Sequence, residues 1–134
     1  MRCYVVTPEN CVVDKDVKFV VAPLTDGEYA IAQDHAPVIG RIGAGELRIT
    51  NLDGSVEHWF IKGGFIEVLN DDISILTNVA IAAYDLNLLQ SQKRLEDALA
   101  VQAYSDEDIN QKEVDVAVAR AMLRLAQKAN ERLA

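Results

Sequence analysis

Ala83-Tyr84-Asp85-Leu86-Asn87-Leu88-Leu89 is the stretch that decides how this chain is built, because the residue pattern follows different periods on its two sides. All 7 glycines and all 3 prolines of the 134 residues lie before it, and none follows. Downstream, alanine, leucine, glutamine and charged residues dominate, a composition that favours helix. Upstream, short apolar runs are broken by turn signals at Thr7-Pro8-Glu9-Asn10, Asp26-Gly27, Gly43-Ala44-Gly45, Asp53-Gly54, Gly63-Gly64 and Asn70-Asp71-Asp72. That spacing belongs to an all-β sandwich or barrel. The expected fold class is α+β by segregated domains: an N-terminal antiparallel β-sandwich over residues 1–84 and a C-terminal αα-hairpin over residues 85–134.

Glu46-Leu47-Arg48-Ile49-Thr50 and Asp72-Ile73-Ser74-Ile75 alternate polar and apolar, as half-buried strands do. Val17 to Ala22 and His58 to Ile61 are denser and read as strands buried on both faces, with Asp53-Gly54 at a hairpin tip. On the helical side Asp85 is placed to cap a first helix running to about Tyr104. Ser105 caps a second, whose first turn holds Asp106, Glu107 and Asp108 where the helix dipole favours acids. Val114, Val118, Ala121, Met122, Leu125, Ala129 and Leu133 then recur at three- and four-residue steps as one apolar stripe. Two of these are alanines, so the stripe buries less area per turn than a leucine seam, and its release costs less at about 25 cal/mol per Å².

A chain of this length buries about two-thirds of its unfolded surface. Half the residues are apolar and a quarter are charged, which excludes disorder. The formal net charge of −8 disfavours nucleic acid and gives no general basic face for lipid. No run reaches the roughly 18 apolar residues of a membrane span, and Met1-Arg2-Cys3-Tyr4 does not begin a signal peptide, so membrane association is expected only through another protein. Cys3 and Cys11 flank the turn at residues 7–10. With Thr7 paired to Asn10, Cys11 faces Val6 and Cys3 faces Asp14, which leaves the sulfurs out of register as reduced, structural thiols. Two cysteines and two histidines lack zinc-site spacing, so neither metal nor cofactor is expected.

Thr25 to Ile39 is turn-rich, with an exposed acid, Glu28, and a histidine, His35, and reads as a docking loop. His35 precedes Ala36-Pro37, so it either finishes a strand or meets a partner. His58 and Trp59 lie inside an apolar strand and read as structural. Gly63-Gly64 has no following helix and no phosphate-cradle spacing, so it reads as a bulge or sharp bend. No nucleophile motif accompanies either histidine, and no enzymatic chemistry is indicated. On the last helix Arg120, Arg124, Lys128 and Arg132 stand four apart on one face, where each like-charge pair costs about 0.2–0.5 kcal/mol if exposed. Such a row is either a solvated face near the helix's negative end or a surface kept for an acidic partner.

Three segments, in this order, carry a resemblance. Val5-Val6-Thr7-Pro8-Glu9 resembles a family's first strand and turn. Gly27-Glu28-Tyr29-Ala30-Ile31 with His35-Ala36-Pro37 resembles its Gly-Glu-x-Gly-Ile-x-Pro-Gly-His-Ala-Pro. Gly63-Gly64-Phe65-Ile66-Glu67-Val68 with Ile73-Ser74-Ile75-Leu76 resembles its Gly-Gly-x-x-Glu-Val and following strand. The family is that of the epsilon subunits of bacterial F-type (rotary) ATP synthase, called delta in mitochondria, and the resemblance covers nearly the whole chain.

It implies a non-catalytic subunit of the central stalk. Its sandwich would bind the gamma shaft and rest on the c-ring, and its helical hairpin would restrain ATP hydrolysis. Glu28 and His35 stand where the family's loop meets the c-ring, and the basic row Arg120, Arg124, Lys128 and Arg132 stands where the last helix meets an acidic segment of the catalytic beta subunit of the alpha/beta head. The subunit would lie peripherally at the cytoplasmic face of the bacterial inner membrane, coupling proton flow to ATP synthesis. Two departures bear on the loop: Ala30 replaces a glycine, and Gln33-Asp34 replaces Pro-Gly, adding the charge of Asp34 and predicting a differently shaped loop. The family's ATP motif, Ile/Leu-Asp-x-x-Arg-Ala, is degenerate here, keeping Asp85 but placing Leu88 where the arginine belongs, so weak or absent ATP binding is expected. Two rival readings stand beside this one. A β-sandwich binding module with a helical oligomerisation tail would need exposed aromatics, and of the eight in the chain several lie within apolar strands; a small hydrolase or isomerase would use Glu28, His35 and a neighbouring carboxylate as acid and base.

Overall fold

The turn signals separate nine strands in the computed structural model, which describes residues 1–133, with side chains as far as Glu131. They are β1 (Arg2–Val6), β2 (Cys11–Leu24), β3 (Gly27–Ile31), β4 (Val38–Arg41), β5 (Ala44–Asn51), β6 (Val56–Lys62), β7 (Phe65–Leu69), β8 (Asp72–Leu76) and β9 (Val79–Ala82). Their order is β4-β7-β8-β1-β2-β5-β6-β9, with β3 paired to β2. Every pairing is antiparallel except β1 with β8, which run parallel.

The 14-residue β2 belongs to both layers of the sandwich. Its first half pairs with β1, and from Val17 onward it pairs with β5 and β3, after a register shift between Val17 and Phe19. The dense run Val20-Val21-Ala22-Pro23 is buried throughout. Cys3, Val5, Ile66, Val68, Ile73 and Ile75 enter the core from one layer, and Val20, Ile31, Leu47, Ile49 and Ile61 from the other. Trp59 packs against this core. The β5–β6 hairpin turns at Asp53-Gly54, where Asp53 Oδ1 accepts from the Ser55 backbone N–H at 2.9 Å and Gly54 has φ +90°. Those bonds from Ser55 hold the Asp53 carboxyl below its usual range.

Gly63-Gly64 carries the chain from β6 of one layer into β7 of the other. Both glycines have positive φ, +75° and +95°. A Cβ on Gly64 would lie 1.8 Å from the Leu76 carbonyl oxygen, so the two backbones approach as only glycine permits. Buried Thr77 backs the crossing, its hydroxyl 3.0 Å from the Lys62 carbonyl oxygen and 3.2 Å from that of Val79.

The first hairpin corrects one expected pairing. Val6 faces Cys11 as read, but Cys3 faces Lys15 and not Asp14, because Val12 is an extra residue bulging between the Val5–Val13 and Val6–Cys11 pairs. Both cysteines are free thiols; Cys3 is fully buried and Cys11 exposed.

After Ala82 the chain enters a second compact unit. A 3-10 turn, Ala83–Asp85, precedes α1 (Leu88–Ala100), and α2 spans Asp106–Leu133. Asp85 is therefore not the cap: Asn87 is, its side chain accepting from the Gln90 N–H at 2.9 Å. The first helix stops at Ala100, short of the expected Tyr104, and Val101 leaves it in extended conformation. Ser105 caps α2 as read, its hydroxyl accepting from the Asp108 N–H at 3.1 Å. The buried stripe of α2 is Val118, Ala119, Met122, Leu125 and Ala126, shifted from the expected set: Val114 is exposed, while Ala119 and Ala126 join. Leu133 of that set lies outside the described side chains. Along α1 the inward positions are Leu88, Ser91, Leu95 and Ala98.

Gly64→Ala is expected to lower stability by about 3 kcal/mol, combining left-handed strain with a backbone clash. Urea unfolding reads this directly, and an unchanged midpoint would refute the close approach. Burial pushes the Cys3 thiol up to about 12, so at pH 8 one equivalent of thiol reagent should label Cys11 in the folded protein, with a second taken up only on unfolding.

Candidate functional site

The loop between β3 and β4 is held from two sides. Alternation along β3 sends Glu28 and Tyr29 to opposite faces. Tyr29 packs its ring against the sandwich core and reaches the loop with its hydroxyl, 3.0 Å from His35 Nε2. The two rings meet edge-on, 5.4 Å between centroids at 70°. His35 Nδ1 lies 2.6 Å from the Ala36 carbonyl oxygen, which can only accept. Nδ1 therefore carries the proton, and Nε2 accepts from the Tyr29 O–H. Both ring nitrogens are committed within the loop, so His35 shapes it.

Asp34, where the resembling family has glycine, takes φ +64°, a conformation glycine adopts without steric cost. Its N–H donates to Asp71 Oδ1 at 2.7 Å, tying the loop to the β7–β8 turn, where Asn70 and Asp71 also have positive φ. The Asp34 side chain is left exposed.

Glu28 lies on the other face of β3, in a chain of charges running across the sheet. Its two carboxylate oxygens accept from Arg48 Nη1 and Nη2 at 3.3 and 3.1 Å. Arg48 Nη1 also donates to Glu46 Oε1 at 3.0 Å, and the same oxygen is 3.5 Å from His58 Nδ1. Hydrogen bonds to Glu28 and then Glu46 hold the Arg48 guanidinium above its usual range. Glu28 and His35, seven residues apart, are engaged by different partners, Glu28 by Arg48 and His35 by Tyr29. Among the described residues, no group of three or more His, Cys, Asp or Glu is placed to hold a metal.

In the hairpin, Arg120, Arg124 and Lys128 are exposed on α2, while the side chain of Arg132 lies outside the described residues. Arg120 and Arg124 border a groove of about 1050 Å³ shared with Lys112, Leu99, Val101 and Tyr104. Asp85 sits in the 3-10 turn, and Leu88, at the motif's arginine position, is a half-buried packing residue of α1.

Sequence reading did not single out Tyr29, Arg48, Glu46 or Asp71 for the site. The Glu46-x-Arg48 alternation was visible, but the reach to Glu28 depends on β3 and β5 flanking β2, a long-range register.

A β-sandwich followed by two helices is the architecture that comparison with known proteins finds again. Residues 1–83 match the β-sandwich domain of the ATP synthase delta/epsilon chain. The ATP synthase epsilon chain of Rhodopirellula baltica is 38% identical over 124 residues, covering 92% of this chain and 96% of that one. A chain of the Euglena gracilis mitochondrial ATP synthase, in a structure of OSCP, F1 and c-ring, superposes with TM-score 0.81 at 19% identity, over 90% of this chain and 77% of that one. A chain of the Tetrahymena thermophila mitochondrial ATP synthase central stalk and c-ring gives 0.73 at 12%, over 94% and 96%. The two superpositions establish likeness of fold. The chain belongs to the delta/epsilon-chain family of ATP synthase.

Arg48→Lys keeps the charge but loses the fork onto Glu28, and should cost about 0.5–1 kcal/mol of stability; Arg48→Ala should cost more, about 1–2 kcal/mol. Urea midpoints that do not separate the two variants would show that the fork contributes nothing.

Proposed function

We propose that this protein is a central-stalk subunit of a rotary ATP synthase, without catalytic chemistry of its own, that couples proton flow through the c-ring to ATP synthesis. The sandwich, residues 1–84, grips the gamma shaft and rests on the c-ring, with Glu28, Asp34 and His35 on the loop that faces the ring. The hairpin, residues 85–134, is a regulatory element that restrains ATP hydrolysis by alternating between a folded and an extended position. Its last helix meets an acidic segment of the catalytic beta subunit through Arg120, Arg124, Lys128 and Arg132. The subunit sits peripherally at the cytoplasmic face of the bacterial inner membrane, held there by the complex; no helix among the described residues is long and apolar enough to cross a membrane.

The observation that carries this reading is the match to a bacterial epsilon chain over both units, taken together with the exposed cationic row on α2. Arg120 and Arg124, exposed and four apart, repel one another by about 0.2–0.5 kcal/mol, a cost that a complementary acidic surface would reverse. A brake also needs two packings close in energy, and a stripe in which Ala119 and Ala126 alternate with Val118, Met122 and Leu125 holds less tightly than one of leucines. Leu88 in the first turn of α1 supports regulation without strong ATP binding.

The test uses membranes whose ATP synthase has been depleted of this subunit and rebuilt with the full chain. Arg120→Glu with Arg124→Glu should rebind and raise ATP hydrolysis severalfold over the wild-type reconstitution. Unchanged hydrolysis with normal rebinding would refute the inhibitory contact, and failure of the wild-type chain to rebind would refute membership of the stalk.

A further inference from the structure

We propose that Tyr29 and Asp71 are positioning residues for the β3–β4 loop, holding Asp34 and His35 in one conformation so that the loop meets its partner already formed. The proposal rests on the reading of this loop as the ring-facing surface. It concerns how the surface is prepared, and neither residue is itself offered to the partner.

The six residues between Ile31 and Val38 have no strand pairing of their own. Left alone, such a segment samples many conformations, and a partner would have to order it on binding. Two ties remove that freedom, and they come from separate elements. The Tyr29 hydroxyl, on a ring anchored in the core, donates to His35 Nε2. Asp71 Oδ1, in the β7–β8 turn, accepts the N–H of Asp34 at 2.7 Å. The second tie fixes the one residue of the loop with positive φ, the point where the chain would otherwise relax toward a more ordinary conformation. Asp71 is itself pinned, since its carbonyl accepts from the Arg2 N–H at 3.0 Å. Asp34 and His35 are therefore referred to the sandwich through β3 on one side and through β1 and the β7–β8 turn on the other. With Nδ1 of His35 donating to Ala36, the imidazole acts as an internal brace, and the outward charged group of the loop is the Asp34 carboxylate, beside the exposed Gln33.

Three full-length variants test this. Tyr29→Phe keeps the edge-on ring contact and removes only the donor. Asp71→Gly and Asp71→Asn both tolerate the left-handed backbone of that residue, φ +62°, but only Asn keeps an acceptor oxygen. Each is rebuilt into depleted membranes, its thermal midpoint is measured, and the His35 imidazole is followed by nitrogen NMR at mildly alkaline pH. Loss of one net hydrogen bond of preorganisation predicts rebinding weakened about fivefold in Tyr29→Phe and in Asp71→Gly. Asp71→Asn should rebind like wild type, melting should be unchanged within a few degrees, and in Tyr29→Phe the Nε2 resonance should move as its donor is lost while the proton stays on Nδ1. Wild-type rebinding by Tyr29→Phe and Asp71→Gly would overturn the proposal, as would weakening that merely tracks a lower melting temperature. The underlying reading fails differently: Glu28→Lys combined with Asp34→Lys would then rebind undiminished, showing that the loop faces no partner.

Discussion

The approach of Gly64 to the Leu76 carbonyl is the constraint on which the sandwich rests. Here β6 of one layer hands the chain to β7 of the other, and the two backbones come closer than any side chain would allow. The same crossing sets Phe65 opposite Leu76 in the β7–β8 pairing, and β8 presents its other edge to β1. β1 then fixes the first half of β2, whose second half organises β3 and β5. The β3–β4 loop inherits its position from this sequence of pairings, since β3 exists only as an addition to β2, and Asp71 reaches Asp34 only because the β7–β8 turn lies beside it.

Charge is distributed differently in the two units. On the sandwich, Glu28, Arg48 and Glu46 form a chain of alternating sign across one sheet, with His58 Nδ1 3.5 Å from Glu46 Oε1. On α2 the basic row has the same sign throughout, with Glu131 the only acid at helical spacing from any member. Paired opposite charges set local geometry, whereas a run of like charges adds to the field around the helix until salt screens it. Within an acidic chain, a row of that kind is a local feature that net charge conceals.

Local signals were legible in the sequence because their physics is local. Asp53-Gly54 needs only a positive φ and a neighbouring serine, and Ser105 needs only the N–H of Asp108 three residues on. The cap of α1 was missed by two residues because Asp85 and Asn87 are both competent, and the choice depends on the 3-10 turn that occupies Asp85. The Cys3 pairing was missed because a single bulged residue, Val12, leaves little mark in a run of β-branched side chains. Val114 read as part of the apolar stripe by spacing alone, yet it falls where α2 is exposed. The site was the least legible part: Tyr29 and His35 lie six apart, but Asp34 and Asp71 lie 37 apart, and no periodicity links them.

The parallel pairing of β1 with β8 also sets an order of assembly during synthesis. Arg2 meets Asp72 and Val6 meets Leu76, so the first strand made must wait some seventy residues for its second neighbour. Loop-closure entropy makes such distant contacts slow to form. The hairpin, by contrast, is built from contacts close along the chain and can coil as soon as it emerges. As the polypeptide leaves the ribosome, β1 and β2 therefore spend their early life as an incomplete sheet with an open edge, and exposure of that edge to aggregation ends only when β8 arrives.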